Sequence, residues 1–222
     1  MKYDIDSLRQ TVIDKKRNRS IIVDDILNAE TFREAAIISK MFLPSQSYGE
    51  ILDKWLSRHY NFTKLNASEK AGDQRIFEKY NTEIKSSLCD DGKHCNYVQL
   101  RLTHEISFYL LPTYDFVGDE VYYFLLNKEE MIEMVKKYGG YAHGTKGEKG
   151  LIEDNIFNPD IEFAIRPTIG KNCWNDLLRY RITEEDILNE SYWDNRTNSP
   201  KEYKGVNGVV QQGLCSFYAG AN

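Results

Sequence analysis

The chain has no apolar stretch near the roughly 18 residues that a membrane-crossing helix needs. The apolar run from Ile106 to Pro112 is short and is soon followed by Asp115. An excess of positive charge is also missing. The 29 basic residues face 34 acidic ones, for a net charge of −5, and this excludes a uniformly basic nucleic-acid coat. A local basic cleft stays open, because steering fields depend on where charges sit. Cysteine is scarce, with only Cys89, Cys95, Cys173 and Cys215 in 222 residues. That is too few for a disulfide scaffold, so the reading is reduced thiols in an intracellular protein. The start of the chain, Met1-Lys2-Tyr3-Asp4-Ile5-Asp6, carries no apolar signal core. Internal repeats and low-complexity linkers are absent.

What is present is ordinary globular composition, 41% hydrophobic and 28% charged, which excludes disorder and coiled coil. At this length one domain with elaborations is expected, and it can bury a real core. Apolar residues at helical spacing predict a helix over 30–43, stopped by Pro44. A second is predicted after the N-cap types Ser45 and Ser47, with Tyr48, Ile51, Leu52, Trp55 and Leu56 on one face. Short strands are predicted around Ile76 and Ile84, with a turn at 78–81. Tyr97 to Leu102 alternates, placing Gln99 and Arg101 on one side. Strands follow at 106–114 and 121–126. A helix is predicted at 128–138, ended by Gly139-Gly140, then a loop at 143–160. A strand at 162–167, helices at 174–180 and 183–190, and a polar tail from Ser191 complete the order. The expected fold class is α/β (α+β), a sheet covered by helices.

One segment carries chemistry: Gly72-Asp73-Gln74-Arg75-Ile76-Phe77-Glu78-Lys79-Tyr80-Asn81-Thr82-Glu83-Ile84-Lys85. Glu83 and Lys85 are two apart on a strand and so share a face, and a hairpin would bring Asp73 to them. Two converging carboxylates suit a hard divalent cation, and a neighbouring lysine can stabilise an anion or orient a water. These are the requirements of metal-assisted phosphodiester hydrolysis. The bland alternative is an edge strand with a surface ion pair. Acid-x-lysine spacing also occurs at Asp14–Lys16, Asp91–Lys93 and Glu202–Lys204.

This arrangement resembles the PD-(D/E)xK nuclease superfamily, in particular type II restriction endonucleases. The resemblance covers residues 45–101. It implies a restriction-endonuclease-like central mixed β-sheet flanked by helices. It also implies Asp73 and Glu83 as metal ligands and Lys85 as the catalytic lysine. Gly72 stands where the family usually has proline. The family's further helix acid matches Glu50 or Asp53, with Asp53 slightly favoured, and its later glutamine matches Gln99 in rough position. The expected cofactor is Mg²⁺, with Mn²⁺ as a substitute. The expected substrate is double-stranded DNA cut at a palindromic site by a homodimer, since matching half-sites call for matching subunits. On this reading residues 1–222 form a single nuclease domain, with a catalytic core near 45–138 and DNA-contact elaborations over 139–222. The alternatives are a repair or junction nuclease, or a nickase, of the same superfamily, and a non-enzymatic DNA-binding or protein-interaction domain.

Arg101 and Arg166 are further DNA-contact candidates, as are His143, Thr145 and Lys146 in a glycine-containing loop. The bland alternative is a flexible surface loop for the His143 group and a solvated amphipathic helix for the stretch that holds Arg166. Gly144-Thr145-Lys146-Gly147 lacks the order of a phosphate-binding P-loop. Cys89, His94 and Cys95 could hold zinc, but their spacing is not that of a zinc knuckle, and isolated thiols are the simpler reading.

Overall fold

The helices over 32–42 and 48–59 follow from their apolar spacing, whereas the helix over 19–27 has no apolar stripe and was not expected. A computed structural model of the protein describes residues 9–10, 13–14, 19–44, 47–66, 70–90, 92–144, 146–198, 202–204 and 210–212. Helix α1 (Arg19–Leu27) precedes α2 (Phe32–Phe42) and α3 (Tyr48–His59). Thr31 caps α2 by accepting from the Glu34 amide, and the helix buries Phe32, Ala35, Ala36 and Ser39. Met41 is exposed near the end of the helix, and the smaller Ser39 takes the inner position. Helix α3 buries Ile51, Leu52, Trp55 and Leu56 as its spacing predicts.

The main sheet is mixed and runs β1 (Thr63–Lys64), β2 (Gln74–Ile76), β3 (Tyr80–Ile84), β6 (Phe108–Asp115), β7 (Glu120–Asn127), β10 (Arg181–Ile182). Strand β4 (Ser87–Cys89) also pairs with β6, parallel to it and further along than β3. The Lys85 amide donates to the Leu110 carbonyl at 3.1 Å. So β3, Lys85-Ser86 and β4 form one interrupted edge along β6, and the interruption falls at the candidate lysine. Strands β6 and β7 make a long antiparallel hairpin. All eight residues of β6 are buried, as expected of a strand covered on both faces. Its alternation feeds two cores. Phe108, Leu110 and Tyr114 face α1–α3, whereas Tyr109 and Leu111 face a second core. That second core lies under α4 (Lys128–Tyr138), α7 (Asn172–Leu177) and a small sheet of β5 (Tyr97–Leu100), β9 (Phe163–Ile165) and β8 (Gly140–Tyr141).

Helix α4 matches its predicted span and starts with a capping box between Asn127 and Glu130. Gly139 caps its C-terminal end as expected, its amide donating to the Val135 carbonyl, but with an extended φ of −72° rather than a left-handed one. A Cβ there would come within 2.4 Å of the Val135 carbonyl oxygen, so close approach is what demands glycine. Several other expectations need correction. The hairpin turn is Phe77–Lys79, not 78–81, because Phe77 and Glu78 adopt φ of 54° and 52° and free Tyr80 and Asn81 for the strand. The 143–160 loop holds short helices α5 (Lys146–Lys149) and α6 (Ile152–Asn155). After α8 (Glu184–Ile187), the supposed polar tail begins as α9 (Glu190–Asn198), anchored by the fully buried Trp193. Two short strands follow, β11 (Glu202–Lys204) and β12 (Val210–Gln212).

The cysteine reading is also overturned. Cys89 and Cys95 are joined as a disulfide, their Cα atoms 5.2 Å apart and both side chains buried. Strand β4 and the turn after it bring the two together, which six residues of separation did not reveal. No helix among the described residues is long and apolar enough to cross a membrane.

Candidate active site

The β2–β3 hairpin brings Asp73 to Glu83. The pairing of Gln74 with Thr82 sets Asp73 opposite Glu83, and the Asp73 amide donates to the Thr82 carbonyl at 3.0 Å. Asp73 Oδ2 accepts from the Ile84 amide at 3.1 Å, which fixes the carboxylate against the next strand. Gly72 makes this approach possible. It sits at φ +88°, and a Cβ would lie 2.8 Å from the Thr82 carbonyl oxygen. Proline, locked near −65°, cannot adopt that backbone.

Strand alternation puts Tyr80, Thr82 and Ile84 toward the helical core, and Asn81, Glu83 and Lys85 on the opposite face. The Lys85 ammonium lies 2.6 Å from Glu83 Oε1 and 3.5 Å from Asp73 Oδ2. Side-chain exposure grades from 3% at Glu83 through 21% at Lys85 to 39% at Asp73, so the cluster opens to solvent on the Asp73 side. Of the two helix acids, Asp53 joins the group and Glu50 does not. Asp53 Oδ1 accepts from the Ser86 hydroxyl at 3.0 Å, at the break between β3 and β4. Glu50 points to solvent and pairs with Lys54 at 2.7 Å.

Burial pushes the Asp53 carboxyl up to about 8, with the Asp73 charge adding to the shift and Lys85 opposing it. Burial also raises the Glu83 carboxyl, against the pull of Lys85. For Lys85, burial alone would favour the neutral amine. The charges of Glu83 and Asp73 outweigh it and hold the ammonium above the usual lysine range. Three carboxyls thus share a neighbourhood with one cation. Asp73 and Glu83 are the pair that could hold a divalent ion. Among the described residues no group of three His, Cys, Asp or Glu donors is gathered tightly enough to bind a metal by itself. Two carboxylates nevertheless suit Mg²⁺, which commonly takes one or two and fills its shell with water and phosphate oxygens.

The remaining candidates are placed unevenly. Arg101 stands near Glu83, whose carboxyl its charge lowers, and its Nε donates to Glu162 Oε1 at 2.8 Å. His143 Nε2 lies 3.6 Å from the other oxygen of Glu162, so Arg101 and His143 share that acid. Gln99 is exposed, at φ 58° on a register shift of β5 that spoils the expected alternation. It makes no hydrogen bond to the triad. Lys146 begins α5 and Arg166 follows β9, both exposed. Thr145 lies outside the described residues. The motif reading missed Ser86, and also Arg75 and Asn81, which lie on the Glu83 face and bond to each other at 3.3 Å. The period-2 count that linked Glu83 to Lys85 reaches Asn81 too, whereas nothing in the sequence marks Ser86. No family model matches the chain, and no curated protein is detectably similar to it.

Proposed function

We propose that this chain is a Mg²⁺-dependent endonuclease that hydrolyses phosphodiester bonds in double-stranded DNA, of the type II restriction class in the PD-(D/E)xK superfamily. The observation that carries the reading is Lys85 held between Asp73 and Glu83, on one sheet face beside a helix acid. Such a cation between two carboxylates is more than a surface ion pair, because Glu83 is buried and its burial raises the carboxyl. The mixed sheet with helices on both faces suits a restriction-endonuclease-like fold.

On this reading Asp73 and Glu83 hold the ion, with Mn²⁺ as a substitute. When bound, Mg²⁺ supplies positive charge against the phosphate and makes water more acidic. The chain's own residues do the rest. Lys85 stays an ammonium beside its two acids, so it orients the attacking water and offsets charge developing on the phosphate, rather than taking a proton. Asp53, bonded to Ser86, fixes the β3–β4 break where Lys85 sits. A palindromic target implies a homodimer. Such a protein works in the bacterial cytoplasm.

The test is a digest of a well-sequenced phage DNA with Mg²⁺, with EDTA, and with the Lys85→Ala protein. Discrete fragments that need metal are expected, with cutting reduced about 10²- to 10³-fold in the variant. A metal-dependent smear would favour a repair-type nuclease. Wild-type cutting by Lys85→Ala would sink the assignment.

A further inference from the structure

Beside the acid cluster the chain builds a cationic rim around the turn between β5 and β6, with Lys70, Arg75 and Lys128 brought to it from before β2, from β2 and from the start of α4. We infer that Lys70, Arg75, Arg101, His104 and Lys128 form one strip that holds the phosphate backbone of DNA alongside the Asp73–Glu83–Lys85 site. This rests on the nuclease reading and names the surface that would bind its substrate.

Hydrogen bonds tie the strip into one piece. The Glu105 amide donates to the Lys70 carbonyl at 2.6 Å, and the His104 amide to the Arg101 carbonyl at 3.3 Å. Asn81, on the face that carries Glu83, donates from Nδ2 to the Glu105 carbonyl at 3.0 Å, and its own carbonyl accepts from the Ser107 amide at 2.7 Å. Lys128 Nζ, at the start of α4, donates to the His104 carbonyl at 2.6 Å. Arg75 joins through Asn81 Oδ1 at 3.3 Å. The rim is therefore built onto the hairpin that carries the acids.

Charge distinguishes this rim from other parts of the surface. At the far end of α4 the cations are neutralised: Lys136 pairs with Glu133, and Lys137 and Arg179 pair with Asp176. On the rim, Lys70, Arg75 and Lys128 have no carboxylate in ion-pair reach among the described residues. Of the acids around it, Glu162 is engaged by Arg101 and His143, Glu130 by Arg196, Glu83 and Asp73 by Lys85, and Glu105 and Glu129 are exposed. His104 reports the surplus. Burial lowers its pKa, and the charges of Arg101, Lys70 and Lys128 lower it further, with Glu162 opposing. A neutral imidazole amid three cations can donate to a phosphate oxygen without adding charge of its own. In a chain of net charge −5, such local concentration is what steers a polyanion to one face.

The experiment is the salt dependence of binding to a labelled mixed-sequence DNA duplex in EDTA, where no cutting occurs. Each phosphate that the protein no longer neutralises should flatten the slope of log K against log salt by about 0.9. Lys70→Ala/Lys128→Ala is expected to flatten it by about 2, on every sequence alike. Lys70→Glu, at an exposed side chain, should flatten it by about 0.9 or more without disturbing the fold. Lys136→Ala/Lys137→Ala removes the same charge at the other end of α4 and should leave the slope as it was. A wild-type slope in both strip variants would overturn the inference, while Lys85-dependent cutting would leave the nuclease reading standing. Absence of both binding and cutting by the wild type would remove the two together.

Discussion

Lys85 Nζ and Glu83 Oε1 lie 2.6 Å apart, so the buried carboxylate finds its cation two residues on, where β3 breaks. A divalent ion entering between Asp73 and Glu83 must displace that ammonium or share the carboxylates with it. Lys85→Met keeps the apolar stem and removes the competitor. The variant should be less stable than wild type without metal, because an acid is left buried beside a second one. It should also gain more from Mg²⁺, since a ligand at about a hundred times its Kd adds about 2.7 kcal/mol. Thermal melts with EDTA and with titrated Mg²⁺ measure both effects. Equal metal-induced shifts in the two proteins would show that lysine and ion do not compete.

Asp53 predicts an unusual pH profile. Its carboxyl is raised from the ordinary 3.8 to about 8, so between those values the folded chain holds a proton that the unfolded chain has released. Stability then falls as pH rises through that window, contrary to the usual carboxylate whose folded pKa is depressed. Asp53→Asn removes the cost while keeping an acceptor for Ser86. Relative to wild type it should gain stability progressively from pH 4 to pH 8 and gain nothing below the window. Urea melts in EDTA across that range decide the matter, and parallel curves for the two proteins would refute the assignment.

How much of this was legible depends on where the information lies. The buried faces of α2 and α3, the β6–β7 hairpin and α4 follow from local spacing, because each element buries one stripe or is covered on both sides. The shared face of Glu83 and Lys85 follows from strand alternation. The choice between Glu50 and Asp53 does not. It is made by Lys54, which draws Glu50 outward, and by Ser86, which meets Asp53 only once β3 breaks. The turn at Phe77-Glu78 puts two side-chain-bearing residues in left-handed backbone without the glycine that would announce it. Helix α9 was hidden by its polar surface. Its anchor is one residue, Trp193, which packs on Phe77, Tyr80 and Phe108 and donates to the Asp186 carbonyl.

The Cys89–Cys95 bond gives a prediction that composition had pointed away from. It closes a short loop directly after β4, the half-strand that continues the candidate lysine's edge along β6. A loop of this size should contribute about 2 kcal/mol by limiting the unfolded chain. For a chain this long that corresponds to roughly 4–8 °C in melting temperature. Reduction, or Cys89→Ala/Cys95→Ala, should lower the midpoint by that order. The loss should exceed that from Cys173→Ala, whose thiol is free and only half-buried. Reductant keeps such bonds open, so protein purified in its presence should begin in the less stable form and gain the difference on mild oxidation. Alkylation of the unfolded, unreduced protein followed by peptide mapping finds the bond directly. Full labelling of Cys89 and Cys95 after oxidation, or identical melts with and without reductant, would rule the bond out as a source of stability.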